Sequence, residues 1–294
     1  MEFRQLEVFL TVAETKSFSK AAERLFLSQS TISSHIKNLE TELKKTLIIR
    51  STKSVRLTEE GQTLLFYIKR LLDTKEAALL AINSPTNAYI NLGASTIPSA
   101  CLLPKLTSGF RTEHPQVSFF IRQSDSAGIM EKVLDGSVEL GIVGQKADSS
   151  KCISLPFCSD ELVIATPATE HFRCIISRPN HLELLLKEPI LIREQGSGTQ
   201  YAADNILNTM GVSLSELNIA AQCNDLTAIR QMIVEGMGIS VMSRLAITEL
   251  ADRKKIYTVP FDPPMQRSFY LVFLKDRTQR PLINDFITYV LKNH

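Results

Sequence analysis

The residues of this chain best suited to chemistry are short hydroxyls and amides rather than strong acids, bases or nucleophiles. One set lies in "LSQSTISSHIK", where Gln29, Ser30, Thr31, Ser33, Ser34, His35 and Lys37 crowd together. A second lies in "GASTIPSACLLP", with Ser95, Thr96 and Ser99, and a third in "REQGSGTQYAADNIL", with Gly198 and Thr199. Such groups donate and accept hydrogen bonds, which suits two tasks. One is reading the edges of nucleic-acid bases in a groove. The other is holding an oxyanion at the free N–H groups of a helix start.

Groups for bond-breaking are sparse. The chain has no GxSxG elbow, no phosphate-binding Walker loop and no HExxH. "GMGIS" lacks the third glycine and the acidic residue of a dinucleotide fingerprint, so it reads as a helix-to-strand turn. His35, His114, His171, His181 and His294 show no metal-ligand spacing. The expectation is a non-enzyme with no cofactor and no metal. For His35, contact with nucleic acid and plain solvation stay equally open.

Helices must position the first set. Phe3, Leu6, Leu10 and Ala13 recur at helical spacing. Ser17 can cap a short second helix bearing Ala21, Ala22 and Leu25. Ser28 can cap a third, on which Ile32, Ile36, Leu39 and Leu43 form one apolar stripe. Ala22 permits close approach of two helices. With the stripe turned inward, Ser30, Ser33, Ser34 and Lys37 face outward, with Gln29 beside them. That is the polar face a major groove requires.

The next stretch, "KKTLIIRSTKSVRLT", carries Lys44, Lys45, Arg50, Lys53 and Arg56 and no acid. Its "LIIR" and "VRLT" ends have strand character. A basic hairpin after a helix-turn-helix is a winged helix, here over residues 1–60. Arg50, Lys53 and Arg56 then face phosphate, with Lys53 near the wing tip. Thr58 and Glu60 form a capping pair for a long helix over residues 58–84. Leu64, Leu65, Ile68, Leu71, Leu72, Leu79 and Leu80 line it. At 1.5 Å per residue this rod runs about 37 Å, more than a small winged helix can cover, so a second copy is its natural cover.

After Pro85 short strands alternate with helices, which argues for a mostly parallel sheet in an α/β fold. "YINLGA", "VSFFIRQ" and "VELGIVG" make a first set; "ELVIATP", "PILIRE", "LNIAAQC" and "GISVMS" make a second. "SFYLVFL" and the terminal helix look spare to the second set. The chain is therefore expected to return, giving one lobe of residues 88–160 and 268–294 and another of 161–267. Ligands of open α/β sheets bind at the carboxyl ends of strands. That places Ser95, Thr96, Ser99, Ser126 and Gly144 of the first lobe opposite Gly198, Thr199 and Asn224 of the second. The ligand expected there is a small anionic metabolite or an inorganic anion. Arg122 and Arg193 are not clearly aimed at this cleft and are left out.

Composition sets outer limits. The chain has 294 residues, 44% hydrophobic and 22% charged, enough for real cores. A formal charge of +2 is too small to coat nucleic acid by bulk attraction, so any contact is local. The start, "MEFRQLEVFL", is no export signal, and no apolar run approaches a membrane span. The five cysteines are odd in number and never spaced as CxxC. A cytoplasmic protein without membrane contact is expected, with Cys152 and Cys158 as buried apolar fillers.

"FSKAAERLFLSQSTISSHIKNLETEL" and "RSTKSVRLTEEG", followed by "GSGT", are similar to the LysR-type transcriptional regulators, and the resemblance covers essentially the whole chain. "GASTIPSACLLP" and "IVGQ" also resemble the branch controlling sulfur and selenium assimilation. Cysteines of the disulfide-sensing members, after "GSGT", are missing here, so peroxide sensing is not expected. The resemblance implies a homodimer or homotetramer on an interrupted palindrome of double-stranded DNA. It also implies a small metabolite between the lobes that alters DNA bending and recruitment of RNA polymerase. The rival is a cytosolic small-molecule-binding protein or enzyme on the same two-lobe scaffold. The fused winged helix and the missing catalytic constellation argue against it.

Overall fold

The computed structural model describes residues 1–50, 55–83, 88–276 and 279–293. The chain divides into two compact units, Met1–Pro85 and Thr86–His294.

In the first unit, α1 (Phe3–Thr15), α2 (Phe18–Leu25) and α3 (Gln29–Leu43) precede strands β1 (Ile48–Arg50) and β2 (Val55–Leu57) and the long helix α4 (Glu59–Asn83). Local chemistry sets the helix starts. Ser17 Oγ accepts from Lys20 N and Ser28 Oγ from Thr31 N, each relieving an orphan donor of a first turn. Ile32, Ile36 and Leu39 of α3 are fully buried with Leu6, Phe9, Val12, Ala21 and Ala22. Two apolar residues depart from the expected stripes. Phe3 is 49% exposed and Leu43 is 38% exposed, because they lie at helix ends where the neighbouring helices stop.

The strands pair antiparallel, Ile48 opposite Leu57 and Ile49 opposite Arg56. Glu40 of α3 ties them down: its Oε1 accepts from Leu47 N at 2.8 Å and Ile48 N at 3.1 Å. At the start of α4, Thr58 Oγ1 accepts from Gly61 N at 3.0 Å. Glu60 does not complete the capping pair: α4 begins at Glu59, which makes Glu60 its second residue, and Thr58 N already donates to Leu47 O at 3.0 Å. Gly61 is required by close packing, as a Cβ there would lie 2.2 Å from Leu47 O. Along α4, Ile68 is buried in the unit's core and Leu64, Leu65 and Leu72 pack against it. Phe66, Tyr67, Leu71, Leu79 and Ile82 are exposed.

The second unit has strands β3 (Tyr89–Ser95), β4 (Ser118–Ser124), β5 (Leu140–Val143), β6 (Cys152–Pro167), β7 (Ile190–Arg193), β8 (Ile219–Cys223), β9 (Ser240–Ser243) and β10 (Ile256–Leu274). Its helices are α5 (Leu103–Glu113), α6 (Ser126–Leu134), α7 (Glu170–Ile176), α8 (His181–Leu185), α9 (Gly198–Thr209), α10 (Leu226–Val234), α11 (Arg244–Asp252) and α12 (Pro281–Lys292). One sheet has the order β4-β3-β5-β10-β6-β9, and β7 pairs with β8 beside it.

The sheet is mixed rather than mostly parallel. β3 runs parallel to β4 and β5, but β10 is antiparallel to β5 and β6, and β6 to β9. Two long strands cause this. β6 and β10 pair with each other from Pro167–Ile256 to Cys152–Leu274, and each carries the chain between the two ends of the sheet. A strand going out and one coming back must oppose each other. One lobe gathers around β3, β4 and β5, the other around β7, β8 and β9. Between them runs a shared core, from Phe110 and Phe286 through Phe269 to Ile229 and Ile247. Cys152 and Cys158 are half-buried on β6 rather than fully buried, each packed at the margin of a hydrophobic cluster.

Candidate functional site

The first polar set lies on the amino-terminal half of α3. Gln29, Ser30, Ser34 and Lys37 are exposed, while Thr31, Ser33 and His35 are half-buried along its flanks. Ser28 Oγ lies 2.7 Å from both Ser30 Oγ and Thr31 Oγ1, so the hydroxyls are held as a group around the helix start. Ser19 Oγ at the start of α2 donates to Gln29 Oε1 at 3.4 Å. That bond fixes the amide of Gln29 beside the amino terminus of a second helix. Arg56 is exposed on β2. Arg50 ends β1, with its side chain outside the described residues, and Lys53 lies outside them altogether. Hydroxyls and an amide presented by one helix, with a basic strand beside it, can bond base edges and phosphates together.

The second site lies between the lobes. Ser95, Thr96, Ser126, Gly144, Gly198 and Thr199 line one cavity of about 10 Å³, together with Asp125, Ser197, Arg267 and Phe269. Strand ends and helix starts bring them together. Ser95 ends β3, Ser126 opens α6 behind its cap Asp125, and Gly198 opens α9 behind its cap Ser197. Ser99 and Asn224 lie outside this lining. Ser99 does not cap a helix either. Pro98 starts a π-helical turn at Pro98–Leu102, so Ser99 is already inside it. Asn224 is exposed and contributes only its carbonyl, which accepts from Arg193 Nη2 at 3.0 Å.

The lobes touch across the cavity. Ala127 N donates to Gly196 O at 3.4 Å. A Cβ on Gly196 would lie 2.6 Å from Asp125 Oδ2, and Gly196 has φ +92, a left-handed conformation that favours glycine. A Cβ on Gly198 would lie 2.8 Å from Ser126 Oγ and 3.2 Å from the carbonyl carbon of Gly144.

Two arginines complete the site, and neither was expected there. Arg193 is 3% exposed. It pairs with Glu194 through Nε at 2.8 Å and Nη2 at 3.0 Å, and its Nη2 reaches Thr96 Oγ1 of the other lobe at 3.5 Å. Arg267 donates from Nε to Asp160 Oδ2 at 2.9 Å and from Nη1 to Thr199 Oγ1 at 3.1 Å. Its side chain is 8% exposed and that of Asp160 0%, and Ser243 Oγ also donates to Asp160. Arg267 Nη2 lies 2.9 Å from Asp160 Oδ2, yet its N–H bonds find no acceptor of suitable angle among the described residues. Burial pushes Arg267 below its ordinary pKa, Asp160 pulls it up, and the charge of Arg193 lowers it again. An arginine so placed stays charged.

A faint signal for Arg193 exists in "ILIR", whose last residue stands at the carboxyl end of a strand. Arg267 and Asp160 carry none, being 107 residues apart. Beside the cavity, a wider chamber of about 940 Å³ shares Gly144 and Arg267 with it and is lined by Leu162, Tyr201, Met265 and Tyr270 among others.

The described residues hold no cluster fit for a metal ion, and none of their helices is long and apolar enough to cross a membrane. Burial pushes the thiols of Cys101, Cys152 and Cys158 up, away from the reactive thiolate.

Comparison with known proteins places both units. Residues 3–62 match the model of the bacterial regulatory helix-turn-helix protein, lysR family, and residues 84–294 match the LysR substrate binding domain. An uncharacterized HTH-type transcriptional regulator of Methanocaldococcus jannaschii, MJ0300, is 31% identical over 97% of each chain. Full-length CbnR in complex with its target DNA superposes with a TM-score of 0.70 at 21% identity, covering 100% of both chains. The regulatory domain of Synechocystis CcmR in complex with 2-PG gives 0.61 at 21% identity, over 70% of this chain and 96% of that one. With models matching both of its units, the chain belongs to the LysR family of DNA-binding transcriptional regulators that carry an effector-binding domain.

Proposed function

We propose that this regulator binds double-stranded DNA at an interrupted palindrome as a homodimer or homotetramer in the cytoplasm. Gln29, Ser30 and Ser33 read bases, with Thr31, Ser34, His35 and Lys37 around them, and Arg50, Lys53 and Arg56 hold phosphate. The exposed hydroxyl face of α3 supports this reading, as does the DNA in the CbnR complex. Copies associate through the exposed leucines of α4, which its own unit leaves uncovered.

The effector is a small anion held between the lobes, and its binding alters DNA bending and recruitment of RNA polymerase. One observation carries this. A buried guanidinium, that of Arg267, stands in a cavity lined by hydroxyls and by the starts of α6 and α9. An oxyanion there meets hydroxyl donors, while the guanidinium and the helix starts add positive charge. Sulfate and thiosulfate belong among the probes because of the resemblance of "GASTIPSACLLP" to the sulfur branch.

The test is calorimetry of the full chain with sulfate, thiosulfate and short carboxylates, on wild type and on Thr199→Val. Binding that the valine weakens supports the site. If no anion and no other carboxylate-bearing metabolite binds, or the variant binds as well as wild type, the cleft is not the effector site, although the chain remains a regulator.

A further inference from the structure

The charges around the cleft favour an anion that also carries a positive group. Two cations, Arg193 and Arg267, already face two carboxylates at close range, Glu194 and Asp160. A third carboxylate, Asp125, lines the same small cavity as Arg267. Its Oδ1 is used as the cap of α6, accepting from Gly128 N at 2.6 Å. Its Oδ2 faces Gly196 of the other lobe, where the absent side chain leaves it room. Lys146 and Asp148 on the chamber wall offset each other, so Asp125 is left as the carboxylate without a cationic partner among the described residues, and an inorganic dianion would meet it as a like charge. Like charges in a low-dielectric site repel strongly.

We infer that the effector is an α-amino acid, a carboxylate that also carries an ammonium group. This rests on the cleft being the effector site. The layout fits such a ligand part by part. Its carboxylate meets the hydroxyls of Ser95, Thr96 and Thr199 and the charge of Arg267, a residue that lines both the cavity and the chamber. The ammonium takes the narrow arm beside Asp125. That arm, about 10 Å³, has room for one water-sized group, which an ammonium is and a sulfate is not. The side chain runs into the wider chamber past Tyr201 and Met265, which suits a part-apolar group.

The experiment uses the full chain and reads affinity by calorimetry after a thermal-shift screen. The probes are the twenty protein α-amino acids, their N-acetyl derivatives, the matching 2-hydroxy acids, and sulfate and succinate as plain anions. The proteins are wild type and Asp125→Asn, since asparagine caps a helix as well as aspartate does and removes only the charge. Wild type is expected to bind at least one amino acid tenfold or more tightly than its N-acetyl and 2-hydroxy counterparts. Asp125→Asn should abolish that preference and bind the 2-hydroxy acid as well as, or better than, wild type.

Equal binding of an amino acid and its 2-hydroxy acid by wild type would overturn the inference, and so would a preference that survives in Asp125→Asn. The wild-type comparison stands even if the variant does not fold. Binding of plain anions but of no amino acid would sink this inference and leave the cleft reading intact. Binding of neither class would sink both.

Discussion

Gly198→Ala offers a way to act on the contact between the lobes without removing a hydroxyl or a charge from the cavity that Gly198 lines. Gly198 is the first residue of α9, behind the cap Ser197, and its φ is not in the left-handed region. Alanine there costs nothing in the backbone, and within a helix it is the better former by up to about 1 kcal/mol. Across the cleft the outcome differs. The new methyl group would sit 2.8 Å from Ser126 Oγ, 3.2 Å from the Gly144 carbonyl carbon and 3.3 Å from its oxygen. The hydroxyl can turn away, but the Gly144 backbone cannot, so the lobes must part by a few tenths of an ångström. Overpacking of this kind costs about 1–3 kcal/mol. With one movable neighbour we take the lower part of that range, about 1–2 kcal/mol, which is roughly 5–30-fold in an equilibrium. The penalty falls on the arrangement in which the lobes touch. Effector affinity by calorimetry should therefore drop by up to that factor, and any loss of stability of the effector-free chain in urea should stay within about 2 kcal/mol. Unchanged affinity in a normally folded variant would refute the view that the lobes close on the ligand through this contact.

Four further outcomes follow from other parts of the molecule. Ser30→Ala should relax base preference and cost about 1–3 kcal/mol on cognate DNA. Arg56→Ala should weaken binding to all sequences alike and lower the slope of log affinity against log salt by about one, read by fluorescence anisotropy. Asp160→Asn should destabilise the second unit by about 3–5 kcal/mol, because it strands the buried charge of Arg267, and adding Arg267→Met should restore much of the loss in chemical denaturation. Glutamates at Leu71 and Leu79, which are 42% and 50% exposed, should give monomers in sedimentation with the first unit still folded; Leu65 and Leu72 are poorer targets because they pack on that unit's own core.

Much of the protein was legible residue by residue because it rests on contacts within a few positions. Ser17 and Ser28 cap helices since their oxygens need only reach an N–H three residues on, and Ile32, Ile36 and Leu39 share a face because 3.6 residues make a turn. The strand-then-helix order likewise placed Ser95, Thr96, Ser126, Gly144, Gly198 and Thr199 around one cavity. A parallel strand leaves its last residues at the same edge where the next helix presents free N–H groups. Local rules also misled where a neighbour intervened: Pro98 started a π turn ahead of Ser99, and Leu47 O took the Thr58 N–H that Glu60 was expected to cap. What tertiary structure alone decided is the charge pattern of the cleft. Arg267 meets Asp160 from 107 positions away and Arg193 meets Thr96 from 97 away, across two lobes. The pairing of β6 with β10 sets the first of these contacts, placing Arg267 opposite Asp160, and no periodicity in one stretch can encode it. An arginine's role depends on what stands within about 4 Å of it, because charge interactions fall with distance and strengthen as water is excluded.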